Sequence, residues 1–114
     1  MTDEQMWKEA SDKMYESVRK IEQGKWFDDF NCIQLFNIYL IASILYYRHP
    51  YISIMSDSKY DSLCRYLLVR YDLIKEVIWN KELLNKKRLA AGTGFDIDKY
   101  PTAIYCISQH YMRK

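Results

Sequence analysis

Residues 46–63 read YYRHPYISIMSDSKYDSL. Pro50 disfavours helical geometry at His49, so the helix leading in is predicted to end near Arg48. Tyr51 to Met55 then reads as a short extended connection. Ser56 is a good N-cap, and Asp57 follows where a carboxylate favours the positive end of the helix dipole. From there Tyr60, Cys64, Leu67, Tyr71, Ile74 and Ile78 recur at spacings of three or four, one stripe of an amphipathic helix. Helix, break, helix is the pattern around which the chain is organised.

Upstream, Phe30 to Tyr47 is eighteen residues without a charge. That length approaches a membrane span. Asn31, Gln34, Asn37 and Ser43 interrupt it, two tyrosines close it, and the chain is polar, with a mean hydropathy of −0.39. A central helix buried by its neighbours is therefore expected, started by Asp28, with no membrane partner. Before it, Thr2 to about Gln23 forms a first helix. Thr2 and Gln5 supply a capping box, and Met6, Ala10, Met14, Val18 and Ile21 the apolar stripe. Trp7 and Tyr15 flank that stripe, Glu9 pairs with Lys13, and Gly24 ends the helix.

Downstream, the periodic pattern runs from Ser56 to roughly Ala91, with Asn80 and Asn85 as its weak points. Gly92-Thr93-Gly94 reads as a C-cap, since a lone G-x-G after a helix is a weak phosphate signal. A linker, Phe95 to Lys99, leads to a closing helix from Pro101 to about Met112. Ile104, Ile107, Ser108 and Tyr111 are expected on its inner face, and His110 near its end. The expected fold is all-α: a single domain of four or five helices over residues 1–114, with a long central helix hairpin.

The composition agrees. The chain has 114 residues, 49% hydrophobic and 16% aromatic, with three glycines, two prolines and eleven tyrosines. This argues against disorder and for long helices. Net charge is +2, which is not the footprint of a dedicated nucleic-acid binder. Residues 1–30 carry eight acids and five bases, whereas residues 61–90 carry four acids and seven bases. Lys81, Lys86, Lys87 and Arg88 form a weak basic cluster, most simply cations at a helix C-terminus. Nucleic-acid contact there would show steep salt dependence. Cys32, Cys64 and Cys106 are far apart and read as buried, reduced thiols. No spacing suits zinc, and the acidic N-terminus does not read as a signal peptide, so a cytoplasmic location is expected.

Asp57, Tyr60 and Asp61 stand at i, i+3 and i+4, on one face of a helix start beside its free N–H groups. If the two helices pack antiparallel, Tyr46 and Tyr47 approach that face. A small pocket with aromatic walls and two carboxylates would follow, able to take a flat heterocycle and its ribose. There is a plainer account. Ser56-Asp57 caps a helix, Tyr60 packs on its neighbour, and Asp61 pairs with Arg65.

The order Tyr-Tyr, proline, Ile-Ser, then Ser-Asp-x-x-Tyr-Asp-x-Leu resembles the small N-terminal helical domain of bacterial NAD-dependent DNA ligases. The likeness covers roughly residues 35–72. In that family the domain holds the nicotinamide mononucleotide half of NAD during enzyme adenylation. The resemblance implies Tyr46, Tyr47, Asp57, Tyr60 and Asp61 as nucleotide-binding residues: tyrosines enclosing the ring, Asp57 and Asp61 holding the ribose or balancing the cationic pyridinium, and Tyr60 meeting phosphate or ring. The family pattern usually has one residue fewer between tyrosines and aspartate. The family's catalytic K-x-D-G motif is absent, and 114 residues leave no room for the nucleotidyltransferase domain. The expectation is a stand-alone, non-catalytic domain that binds NAD or nicotinamide mononucleotide. The rival is a small protein-interaction or inhibitory module with a protein partner, of a kind that would suit a phage-encoded protein.

Overall fold

The structure, a computed structural model, describes residues 3–24, 26–48, 53–78, 81–94, 97, 99–100 and 102–112, without the side chains of 3–11, 29, 103 and 112. Among the described residues six α-helices carry the fold: α1 (Asp3–Glu22), α2 (Cys32–Tyr47), α3 (Asp57–Val69), α4 (Tyr71–Val77), α5 (Lys86–Ala90) and α6 (Thr102–Met112). There is no strand among the described residues. Two 3₁₀ turns, Phe27–Asp29 and Lys81–Leu83, join them. The Cα radius of gyration is 13.4 Å, the value expected for one compact domain of this length.

Helix α2 is the axis. Leu35, Phe36 and every residue from Ile38 to Leu45 are buried, so α2 is apolar all round, as a helix enclosed by others must be. Helices α1, α3, α4 and α6 pack around it. No helix among the described residues is long and apolar enough to cross a membrane. The start of α2 differs from expectation. Asn31, not Asp28, is the cap: its side chain accepts from the Gln34 N–H at 2.8 Å, and Gln34 Oε1 accepts from the Asn31 N–H at 2.9 Å. This reciprocal capping box satisfies two donors at once. Asp28 lies in the preceding 3₁₀ turn. The helix ends at Tyr47, with Arg48 extended, near the expected place. His49, Pro50, Tyr51 and Ile52 lie outside the described residues, as do Thr2, Trp79, Asn80, Phe95, Asp96, Asp98 and Pro101. So do the side chains of Gln5, Met6, Trp7, Glu9 and Ala10.

The expected long helix from Ser56 to Ala91 is divided. Ser56 caps α3, accepting from the Lys59 N–H at 3.1 Å. At Arg70 the backbone leaves helical geometry for one residue, and the Arg70 guanidinium lies 3.5 Å from the Tyr66 ring centroid. Extended Ile78 then ends α4. Asn85 caps α5 by accepting from the Arg88 N–H at 2.9 Å. The apolar stripe survives these breaks: Cys64, Leu67, Ile74 and Ile78 are buried, and Tyr60 and Tyr71 pack against the core. The basic residues therefore do not close a long helix. Lys81 opens a 3₁₀ turn and Lys86 opens α5. Lys86 lies over the Tyr71 ring, and Arg88 donates to the Leu83 carbonyl at 3.1 Å.

Gly92 ends α5 at φ +68°, donating to the Leu89 carbonyl, while Thr93 donates back to Arg88. This is a Schellman motif, which needs a left-handed residue there. On α6, Ile104, Ile107, Ser108 and Tyr111 are buried as expected. The cysteines differ from expectation. Cys64 is buried and Cys32 half-buried, but Cys106 is exposed because it falls on the outer face of α6.

Candidate functional site

The end of α2 and the start of α3 meet at a cavity of about 110 Å³, lined by Ala42, Tyr46, Tyr47, Ser53, Ile54, Met55, Asp57, Tyr60 and Gly92. Each wall has a local cause. The last turn of α2 presents Tyr46 and Tyr47. The cap at Ser56 fixes where α3 begins, which sets Asp57 at the rim and Tyr60 one turn inside. Buried Ile54 anchors the connection between the helices. The Schellman turn lays Gly92 across the far side.

The aromatic walls touch. Tyr46 and Tyr60 are nearly parallel, at 15° and 6.4 Å between centroids. Tyr47 stands edge-on to both, 4.9 Å from Tyr46 and 6.5 Å from Tyr60. Tyr39 backs Tyr60 at 6.0 Å.

Below the rings runs a hydroxyl chain. Ser43 Oγ lies 2.7 Å from both the Tyr39 carbonyl and the Tyr60 hydroxyl. The carbonyl can only accept, so Ser43 gives its single proton there and Tyr60 donates to Ser43. Thr93 Oγ1 donates to the Tyr47 hydroxyl at 3.0 Å, and the Tyr39 hydroxyl donates to the Thr93 carbonyl at 2.8 Å. Burial pushes the Tyr60 phenol far above its ordinary range, so it stays neutral. At the rim, the Asp57 carboxylate also raises the Tyr46 phenol, with burial and a hydrogen bond to that carboxylate adding to the effect.

Of the five residues expected here, Tyr46, Tyr47, Asp57 and Tyr60 line the cavity. Tyr60 contributes its ring, since its hydroxyl is turned into the protein. Asp61 does not line it. Its carboxylate pairs with Arg65 at 2.7 Å and lies beside Gly92. Asp57 is the one charged side chain of the lining among the described residues. Sequence reasoning treats Gly92, Thr93 and Gly94 only as a helix cap and Ser43 only as a polar interruption of α2, and places none of them at the site. A Cβ on Gly94 would overlap Ser43 Oγ and come within 3.0 Å of the Tyr60 hydroxyl, so Gly94 packs directly on the hydroxyl pair behind the Tyr60 ring, while Gly92 alone of the G-T-G segment lines the cavity. Ser43 carried one signal, a hydroxyl within an otherwise apolar helix.

A cavity of roughly 150 Å³ holds benzene in a protein interior; this one, at about 110 Å³ and open to solvent, has room for no more than a single flat ring with its substituents outside. Aromatic faces and one unneutralised carboxylate favour a cationic ring over an anionic one. No group of His, Cys, Asp or Glu that could hold a metal occurs among the described residues. No family model, curated protein or solved structure matches the chain.

Proposed function

We propose that this protein binds nicotinamide mononucleotide, or the nicotinamide end of NAD, without catalysing a reaction on it. The supporting observation is the single cavity wall shared by Tyr46, Tyr47, Asp57 and Tyr60. In this reading the pyridinium ring lies against the tyrosine wall, Asp57 balances its charge or accepts from its ribose, and the phosphate stays at the mouth. Asp61 is paired with Arg65 and takes no ligand contact. Calorimetric titration with nicotinamide mononucleotide and with NAD tests the reading. Saturable heat, weakened about tenfold or more by Asp57→Asn, is expected. Silence from both ligands at millimolar concentration would sink it.

A second reading has its own observation. Val69, Leu73 and Val77 are 81%, 62% and 48% exposed and stand four residues apart along α3 and α4. Such a stripe suits a protein-interaction or inhibitory module with a protein partner. Leu73→Glu separates the readings, because it should abolish capture of a partner and leave nucleotide binding unchanged.

A further inference from the structure

A second cavity, of about 460 Å³, lies between α1 and the first half of α2, away from the tyrosines. Its size is that of a small-molecule site. Its floor is apolar: Met14, Ile38 and Ile41, with Ile33 46% exposed at its edge. Among the described residues its polar groups are mostly donors. Asn31 and Gln34 turn their side-chain oxygens to the backbone N–H groups of the capping box. The amide NH₂ ends are what remains for the cavity. Half-buried Asn37 adds another amide, with no hydrogen bond among the described residues. Lys13 adds an ammonium group that makes no ion pair among the described residues. The Ser17 hydroxyl gives its proton to the Lys13 carbonyl at 2.9 Å. The one carboxylate of the lining among the described residues, Glu16, is paired with Lys20 at 3.3 Å.

We propose that this groove binds a free, medium-chain aliphatic carboxylate. The chain lies over Met14, Ile33, Ile38 and Ile41, and the carboxylate meets Lys13 and the amide NH₂ groups. Charge complementarity commits the occupant to an acid: among the described residues the one charge of the lining without an ion pair is the Lys13 ammonium, which would repel an alkylammonium, while Glu16 is paired with Lys20 and only the neutral Asn37 and Ser17 oxygens are left to accept. The apolar floor commits it to a chain in place of a small anion. The site is separate from the tyrosine cavity, so it stands or falls independently of nucleotide binding.

Calorimetric titration of the whole chain with octanoate, decanoate and decylammonium is the test. One decanoate per chain is expected, with each added methylene raising affinity by up to roughly fourfold and decylammonium at least tenfold weaker. Lys13→Glu should weaken decanoate by tenfold or more. Ile33→Asp should abolish binding while the protein stays folded, because a carboxylate in the first turn of α2 favours that helix. The proposal is overturned by no saturable decanoate binding below micelle-forming concentrations. Equal affinity for acid and amine, or undiminished binding by folded Ile33→Asp, would overturn it too.

Discussion

Two glycines of one short turn are predicted to behave differently. Gly92 has φ +68°, and an added Cβ would meet only the carboxylate end of Asp61, which can rotate away. Gly92→Ala should cost about 1 kcal/mol, from backbone strain. Gly94→Ala places a Cβ 2.7 Å from Ser43 Cβ, fixed in the middle of α2. That overpacking should cost about 2–3 kcal/mol and also weaken ligand binding, since the added Cβ presses on the Tyr60 side chain and shifts its ring. Urea denaturation of both variants checks the order. Tyr60→Phe should lose about 1 kcal/mol for the hydrogen bond to Ser43 yet keep its ring in the wall, so nucleotide affinity should change less than twofold. Cys64 offers a pH test. Burial, with Asp61 nearby, pushes its thiol from 9.0 up to about 12. The folded thiol therefore stays protonated while the unfolded one ionises. Its contribution to stability is complete below pH 9 and falls as pH rises from there toward 12. At pH 8 a thiol reagent should label exposed Cys106 rapidly and Cys64 only on unfolding.

At the scale of elements, α2 was legible because eighteen uncharged residues leave a helix no solvent face. Its start was not. Asp28 is as good a cap in sequence as Asn31, and only the Gln34 side chain returning to the Asn31 N–H distinguishes them. Asn31→Ala should cost about 1 kcal/mol, measured by the denaturation midpoint, whereas Asp28→Ala should change little. The division of the long helix was legible at Asn85 and in the region of Asn80, just ahead of which extended Ile78 ends α4. Arg70 carries no breaking signal, and the apolar stripe runs through it because a one-residue departure keeps α3 and α4 facing the same core. Schellman geometry at Gly92 follows from the sequence, but its role as a cavity wall depends on where α5 packs against α3, which periodicity does not encode.

For the whole molecule, the fold brings four of the five residues expected to bind nucleotide to one cavity. Asp61 explains the limit of such reading. At i+4 from Asp57 it shares a helix face, but Arg65 one turn further draws its carboxylate along the helix. Spacing gives the face and leaves the choice of partner open. The exposed stripe Val69–Leu73–Val77 was likewise invisible, because its residues look like core until the core is found to be full without them. The direct test of nucleotide binding is an amide chemical-shift titration with nicotinamide mononucleotide. The account predicts saturable shifts at 46–47, 53–60 and 92–94, and none at 81–88. No shift at millimolar ligand, or shifts confined to the basic residues 81–88, would contradict it.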